Sequence, residues 1–157
     1  MSVAQKRILK EIFDLEHSKN SDIPSNISAG PSEMYGKNNL LIWDATIFGA
    51  TGTPYENGIF KLRIDIPNNY PFTAPKVKFM TKVFHPNIHE NGEICLDILK
   101  YNWSPAYTIS QVLLSIVSLL SDPNPDDPLN TEASQLYKNN KNSYFNTVKM
   151  YVTNYAN

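Results

Sequence analysis

Phe60-Lys61-Leu62-Arg63-Ile64-Asp65-Ile66 alternates apolar and charged residues without a break. Successive side chains of an extended chain point to opposite faces, so this stretch predicts a strand with one wet face and one dry face. Val77 and Phe79 repeat the alternation after Pro71 and Pro75. Upstream, Leu40 to Phe48 predicts a further strand carrying Trp43 and Ile47, and Thr51-Gly52-Thr53-Pro54-Tyr55-Glu56-Asn57-Gly58 supplies a loop and turn before Phe60. Short loops with no helical pattern between them predict an antiparallel meander rather than parallel β-α-β units. Asn20 to Ile27 reads as a connector into a short edge strand, with Ser28-Ala29-Gly30-Pro31 as its turn-rich end, which makes four strands.

Helical periodicity brackets this sheet. Ile8, Ile12 and Leu15 recur at helical spacing within about Val3 to Glu16, and Lys6, Arg7, Lys10 and Glu11 are expected on the remaining surface. Thr108 can cap a second helix in which Ile109, Val112, Leu113, Ile116, Leu119 and Leu120 form a broad apolar face. Asp122-Pro123-Asn124-Pro125-Asp126-Asp127-Pro128 ends it, because proline cannot continue the hydrogen-bond ladder. Two more helices are expected, about Thr131 to Lys138 and Asn142 to Asn154, the last with Phe145, Val148, Val152 and Tyr155 on one side. The predicted class is α/β (α+β): an N-terminal helix, a four-stranded antiparallel meander, a central helix and two C-terminal helices.

A chain of 157 residues, 41% hydrophobic and 18% charged, is expected to form a single domain over 1–157 with a genuine core. Eighteen asparagines make much of its surface neutral and polar. A net charge of −1 argues against nucleic-acid binding by bulk electrostatics. One cysteine excludes an intrachain disulfide framework and a Cys-rich metal site, and no metal is expected. Met1-Ser2-Val3-Ala4-Gln5-Lys6-Arg7 has no signal-peptide core, and no apolar run approaches the ~20 residues of a membrane span. The expected setting is the cytoplasm, the nucleus or both, with no membrane partner.

That cysteine, Cys95, ends His85-Pro86-Asn87-Ile88-His89-Glu90-Asn91-Gly92-Glu93-Ile94-Cys95-Leu96-Asp97, a stretch too polar and turn-rich for ordinary core. Two readings stand side by side: a half-buried cysteine at a strand end, or a nucleophile on a surface ledge whose thioester stays activated toward an amine. A hydrolase would need a histidine base held by a third group. His85, His89 and His17 are the candidates, with His17 at the end of the first helix and His89 in the turn beside Asn91.

Four motifs follow one another along the chain: Tyr70-Pro71-Phe72 with Pro75, His85-Pro86-Asn87 eight residues ahead of Cys95, Trp103-Ser104-Pro105-Ala106, and the proline-rich segment 122–128. In this order and spacing, over almost the whole chain, they resemble the ubiquitin-conjugating enzymes. The closest likeness is to the broad-specificity ubiquitin branch and to members made only of the catalytic core. The chain departs from that pattern in longer segments before Ser28 and between Pro31 and Trp43, in Tyr107 where an aliphatic residue is usual, and in Thr73 where lysine is common. The last two touch the surface expected to meet ligases and bear on ligase choice.

The resemblance implies a carrier that takes ubiquitin from the activating enzyme onto Cys95. It then passes ubiquitin to a substrate lysine under a RING or U-box ligase, or to the cysteine of a HECT-type ligase. A monomer with no bound metal or organic cofactor is implied, ATP being spent by the activating enzyme. Asn87 is suited to donate an amide N–H to the developing oxyanion, and equally to bridge backbone groups in its loop. By resemblance Asp127 orients or deprotonates the attacking lysine, and Asp97 is a second acidic residue at that gate or a surface turn residue. His85 is read as fastening the Pro86 corner, Trp103 as bracing the cysteine loop, and Asp122 as tied to its loop backbone. Pro71, Phe72, Pro105 and Ala106, with Lys6, Arg7 and Lys10, are the implied contact face for ligases and the activating enzyme. Ser28 falls where some members hold a second, non-covalent ubiquitin. Two other readings remain: a carrier of a different ubiquitin-like modifier, and a non-catalytic scaffold of the same fold.

Overall fold

Alternation in the charged-and-apolar strand does what it predicts. In the computed structural model, which describes residues 1–17, 24–36 and 39–157, β3 (Ile59–Asp65) buries Phe60, Leu62 and Ile64 and leaves Lys61 and Asp65 exposed. It pairs antiparallel on one side with β2 (Ile42–Phe48) and on the other with β4 (Lys76–Phe79). β1 (Ile27–Pro31) completes the sheet in the order β1-β2-β3-β4.

The segment Ser28 to Pro31, read from sequence as a turn-rich end, is strand: Ser28 pairs with Thr46 and Pro31 with Trp43. Pro31 is tolerated because it is the last residue of an edge strand, where no ladder hydrogen bond needs its missing N–H. Of the connector expected before it, residues 20–23 lie outside the described residues.

The dry face of the sheet carries Trp43, Ala45, Ile47, Phe60, Leu62, Ile64, Val77 and Phe79 into one core. Helix α1 (Val3–His17) contributes Ala4 and Ile8 to it. Helix α2 (Ile109–Ser121) contributes Ile109, Val112, Leu113, Ile116 and Leu120. Side chains of this kind stabilise by about 1.5–3 kcal/mol each when fully buried. Thr108 caps α2 as expected, in a reciprocal capping box with Gln111.

Two sequence expectations are corrected on the helices. Glu11, expected on the wet side of α1, is 6% exposed and sits among hydrogen-bond partners described below. In α4 (Lys141–Tyr155) the buried stripe is Tyr144, Val148 and Val152, not a side built on Phe145 and Tyr155, which are 37% and 46% exposed. The i, i+4, i+8 stripe wins because the phenol of Tyr144 can be satisfied inside: it lies 3.0 Å from the Tyr55 hydroxyl, which donates to Phe84 O. Helix α3 (Thr131–Asn139) starts on an Asn130 cap, directly after the proline-rich loop.

Candidate active site

The segment between β4 and Cys95 folds as a small hairpin appended to the sheet. Isolated bridges join Lys78 to Glu93 and Ile88 to Ile94, and Phe79 N–H donates to Gly92 O. Its turn needs glycine at residue 92, where φ is +94° and a Cβ would stand 1.9 Å from Phe79 O. Although this segment is polar in composition, its residues 83–88 are buried: His85, Asn87 and Ile88 are at most 1% exposed. Polar residues go inside here because each finds a partner.

His85 provides the first fastening. Its Nδ1 accepts the Asn87 N–H at 2.9 Å, and its Nε2 lies 2.7 Å from Leu119 O near the end of α2. With one nitrogen accepting and the other donating, the ring is the neutral tautomer. Burial pushes its pKa down to about 4, against a smaller upward pull from the Leu119 carbonyl. Both nitrogens are committed, so the ring is a joint in the backbone and not a base facing the thiol.

Asn87 provides the second. Its Nδ2 donates to Asn124 O at 2.7 Å and to Asp127 O at 3.0 Å, while its Oδ1 accepts the Asn124 N–H at 2.8 Å. The backbone oxygen of Asn87 also accepts the Cys95 N–H at 2.8 Å. One residue therefore ties the cysteine segment to the loop 124–127. Pro86 O adds two more bonds, from Leu129 and Asn130 N–H.

That loop delivers Asp127 to Cys95: the thiol donates to Asp127 Oδ2 across 3.4 Å. Cys95 itself is only partly buried. Burial raises its pKa first, then the hydrogen bond to Asp127 and that carboxylate's charge, with Asp97 adding to the rise and Lys100 opposing it. The site does not favour a resting thiolate. Asp97 opens a single 3-10 turn (Asp97–Leu99); its carboxylate accepts from Ile98 N and Asn102 Nδ2, so it shapes the turn and projects charge toward Cys95 at once. Asp122 closes α2 through its backbone; its exposed side chain makes no hydrogen bond among the described residues, so the expected tie to the loop is absent there.

The implied contact face divides. Phe72 (69% exposed), Pro105 and Ala106 are open to solvent, as are Lys6 and Lys10. Pro71 is buried, and its carbonyl accepts the Trp103 indole N–H at 2.7 Å. Trp103, read from sequence as bracing the cysteine loop, instead braces the Tyr70-Pro71-Phe72 loop, with its ring packed against Tyr70 and Tyr107. Arg7 is occupied: it donates through Nη1 to Pro105 O and through Nη2 to Tyr107 O, both at 2.9 Å. Ser28 stands exposed on the edge strand, on the face away from the core.

Sequence reasoning missed Glu11 and Tyr70, which join these loops to α1. The signal for Tyr70 was its place beside Pro71; for Glu11 none was legible, since its spacing fits a wet helix face.

A thiol beside a carboxylate, on a loop held to a hairpin by Asn87, suits acyl carriage better than hydrolysis, because among the described residues no histidine bonds to Cys95. A family model described as ubiquitin-conjugating enzyme matches residues 7–152, a span that contains the four strands, the His85-Pro86-Asn87 corner, Cys95 and the Asp127 loop. The chain belongs to the ubiquitin-conjugating enzyme family.

Proposed function

We propose that this enzyme accepts ubiquitin from its activating enzyme as a thioester on Cys95 and delivers it to a substrate lysine or to the cysteine of a HECT-type ligase. The observation that carries this reading is the 3.4 Å pairing of the Cys95 thiol with Asp127, a site where among the described residues no histidine bonds to the sulfur. Loading is an exchange between thioesters, in which the incoming acyl group is already activated and a deprotonated thiol is needed only transiently. A raised thiol pKa is compatible with that, and it limits stray alkylation of the resting enzyme.

Acylation replaces the S–H, so Asp127 Oδ2 loses its donor and is free to receive an incoming lysine. A lysine near pKa ~10.4 arrives mostly protonated. The carboxylate positions the ammonium but favours its charged form, so desolvation at the cleft must lower its pKa before attack. The neutral amine then adds to the thioester carbonyl, the C–S bond breaks, and Cys95 leaves as a thiolate that takes up a proton while the attacking nitrogen loses one. Both amide hydrogens of Asn87 are committed to Asn124 O and Asp127 O. Donation to the oxyanion therefore requires one of those bonds to open; holding the Asp127 loop requires nothing to move. No bound metal or organic cofactor enters these steps, and ATP is consumed by the activating enzyme.

Family membership implies dealings with ubiquitin, an activating enzyme and ligases in general. Phe72, Pro105 and Ala106, flanked by Lys6 and Lys10, are the surface proposed for RING or U-box ligases and for the activating enzyme. The test is thioester formation with activating enzyme, ATP and ubiquitin, read on gels with and without reductant. A reductant-sensitive adduct of one ubiquitin, replaced in Cys95→Ser by a reductant-resistant ester or by none, supports the reading. No adduct from an active preparation points to another ubiquitin-like modifier, and failure with every such activating enzyme leaves a scaffold.

A further inference from the structure

Glu11 is 6% exposed and gathers partners from its own helix and from two other segments. Its Oε1 accepts the Ile109 N–H at 2.7 Å, the first residue of α2. Its Oε2 accepts the Tyr70 hydroxyl at 2.5 Å and the Arg7 Nε–H at 3.2 Å. A helix start leaves N–H groups without intrahelical partners and favours a negative charge, so this carboxylate suits the α2 terminus. The remaining bonds reach the exposed loops. Arg7 continues through Nη1 and Nη2 to Pro105 O and Tyr107 O. Tyr70 is fully buried, and it leads through Pro71 directly to exposed Phe72.

We infer that Glu11 is a positioning residue for ligase docking: through Arg7 and Tyr70 it sets how the Phe72 loop and the Pro105-Ala106 loop stand relative to each other. The inference rests on the proposed docking role of those loops. Lys6 and Lys10 are exposed on the same helix and form no ion pair among the described residues, whereas Arg7 spends its guanidinium on Glu11 and two backbone carbonyls. The helix therefore contributes to the face in two ways, by display and by bracing, and only bracing depends on Glu11. A neutral residue with a single oxygen, held on the Ile109 N–H, would leave Arg7 Nε without its acceptor and let the 105–107 loop drift from the Phe72 loop.

Glu11→Gln is the informative variant, since it keeps the volume and one accepting oxygen for Ile109. Its amide group is a donor where Arg7 Nε needs an acceptor. Loss of that charge-assisted bond is expected to raise the RING-ligase concentration giving half-maximal lysine discharge by about fivefold. Ligase-free discharge from preloaded enzyme should stay within about twofold of wild type. Amide resonances of Phe72, Ala106, Tyr107 and Ile109 should shift, while those of Asn87 and Cys95 hold.

Unmoved loop resonances overturn the inference, as does an unchanged half-maximal ligase concentration. So does a fall of ligase-free discharge in step with the stimulated rate, which marks general loss of structure. Failure of the wild type to form a thioester strikes the carrier reading instead, and the resonances then still decide whether Glu11 anchors these loops. A wild type that loads but responds to no RING ligase overturns the docking role, and the inference with it.

Discussion

Cys95 and Asp127 lie 32 positions apart in sequence, and the thiol of the first donates to the carboxylate of the second across 3.4 Å. Nothing in either residue's neighbourhood along the chain brings them together. Asn87 does, by bonding the Asp127 and Asn124 carbonyls with its side chain and the Cys95 N–H with its backbone. The acid held there raises the thiol pKa after burial has already raised it.

Alkylation of Cys95 reads that arrangement directly. The thiolate is the reactive form, so a raised pKa moves the pH–rate curve for iodoacetamide above that of an ordinary thiol. Asp127→Asn removes the charge and is expected to move the curve to lower pH and to speed alkylation at pH 7. A slower or unchanged rate would show that the carboxylate does not act on the sulfur.

Asp127→Ala should load ubiquitin at the wild-type rate yet discharge it to free lysine at least tenfold more slowly, a floor set below the 10²–10⁴ range of full general acid–base catalysis because the carboxylate positions the ammonium. The side chain is exposed, so the melting temperature should barely change. Equal discharge rates for the two proteins would remove Asp127 from the acceptor site.

Asn87→Ala is a different kind of lesion. It strips three hydrogen bonds from the backbone of Asn124 and Asp127, each worth about 0.5–1.5 kcal/mol net. Lower stability and slow discharge should appear together. In a double-mutant cycle with Asp127→Ala the discharge defects should combine to less than their product, because both act through one loop. Fully multiplicative defects would instead separate Asn87 from Asp127 and favour direct oxyanion donation.

His85 predicts an acid limb. A histidine held at about 4 in the folded state against 6.5 in the unfolded chain binds fewer protons when folded. Its contribution is complete above pH 6.5 and is lost as pH falls through about 4, amounting to roughly 3 kcal/mol. Urea unfolding followed between pH 7.5 and 4 should show that loss. His85→Gln should be less stable at pH 7.5 but flatter over the same window; an equal slope in both proteins would assign the limb to other groups.

Gly92→Ala should destabilise by more than about 3 kcal/mol, since it combines a positive φ with a Cβ placed against Phe79 O. Wild-type-like melting would mean that the hairpin can shift without loss.

Local pattern determined much of this protein. The meander was legible because β3 alternates strictly, and period two leaves a strand only one way to face a core. The start of α2 was legible because Thr108 and Gln111 form a cap from within four residues. Cys95 stood out as a lone thiol after a glycine turn, and the ordered motifs around it pointed to the family.

What escaped sequence reading depends on partners distant along the chain. Glu11 has the spacing of a wet-face residue and is buried only because Ile109, Tyr70 and Arg7 converge on its oxygens. Arg7 looked like its neighbours Lys6 and Lys10 until two carbonyls about a hundred residues away claimed it. Tyr144 displaced Phe145 from the core because Tyr55 waited there for its hydroxyl. Hydrophobic period is a property of neighbours in sequence, and it decides which face a side chain takes. Whether a buried polar group finds its donor is a property of the assembled fold, and that decided the geometry around Cys95.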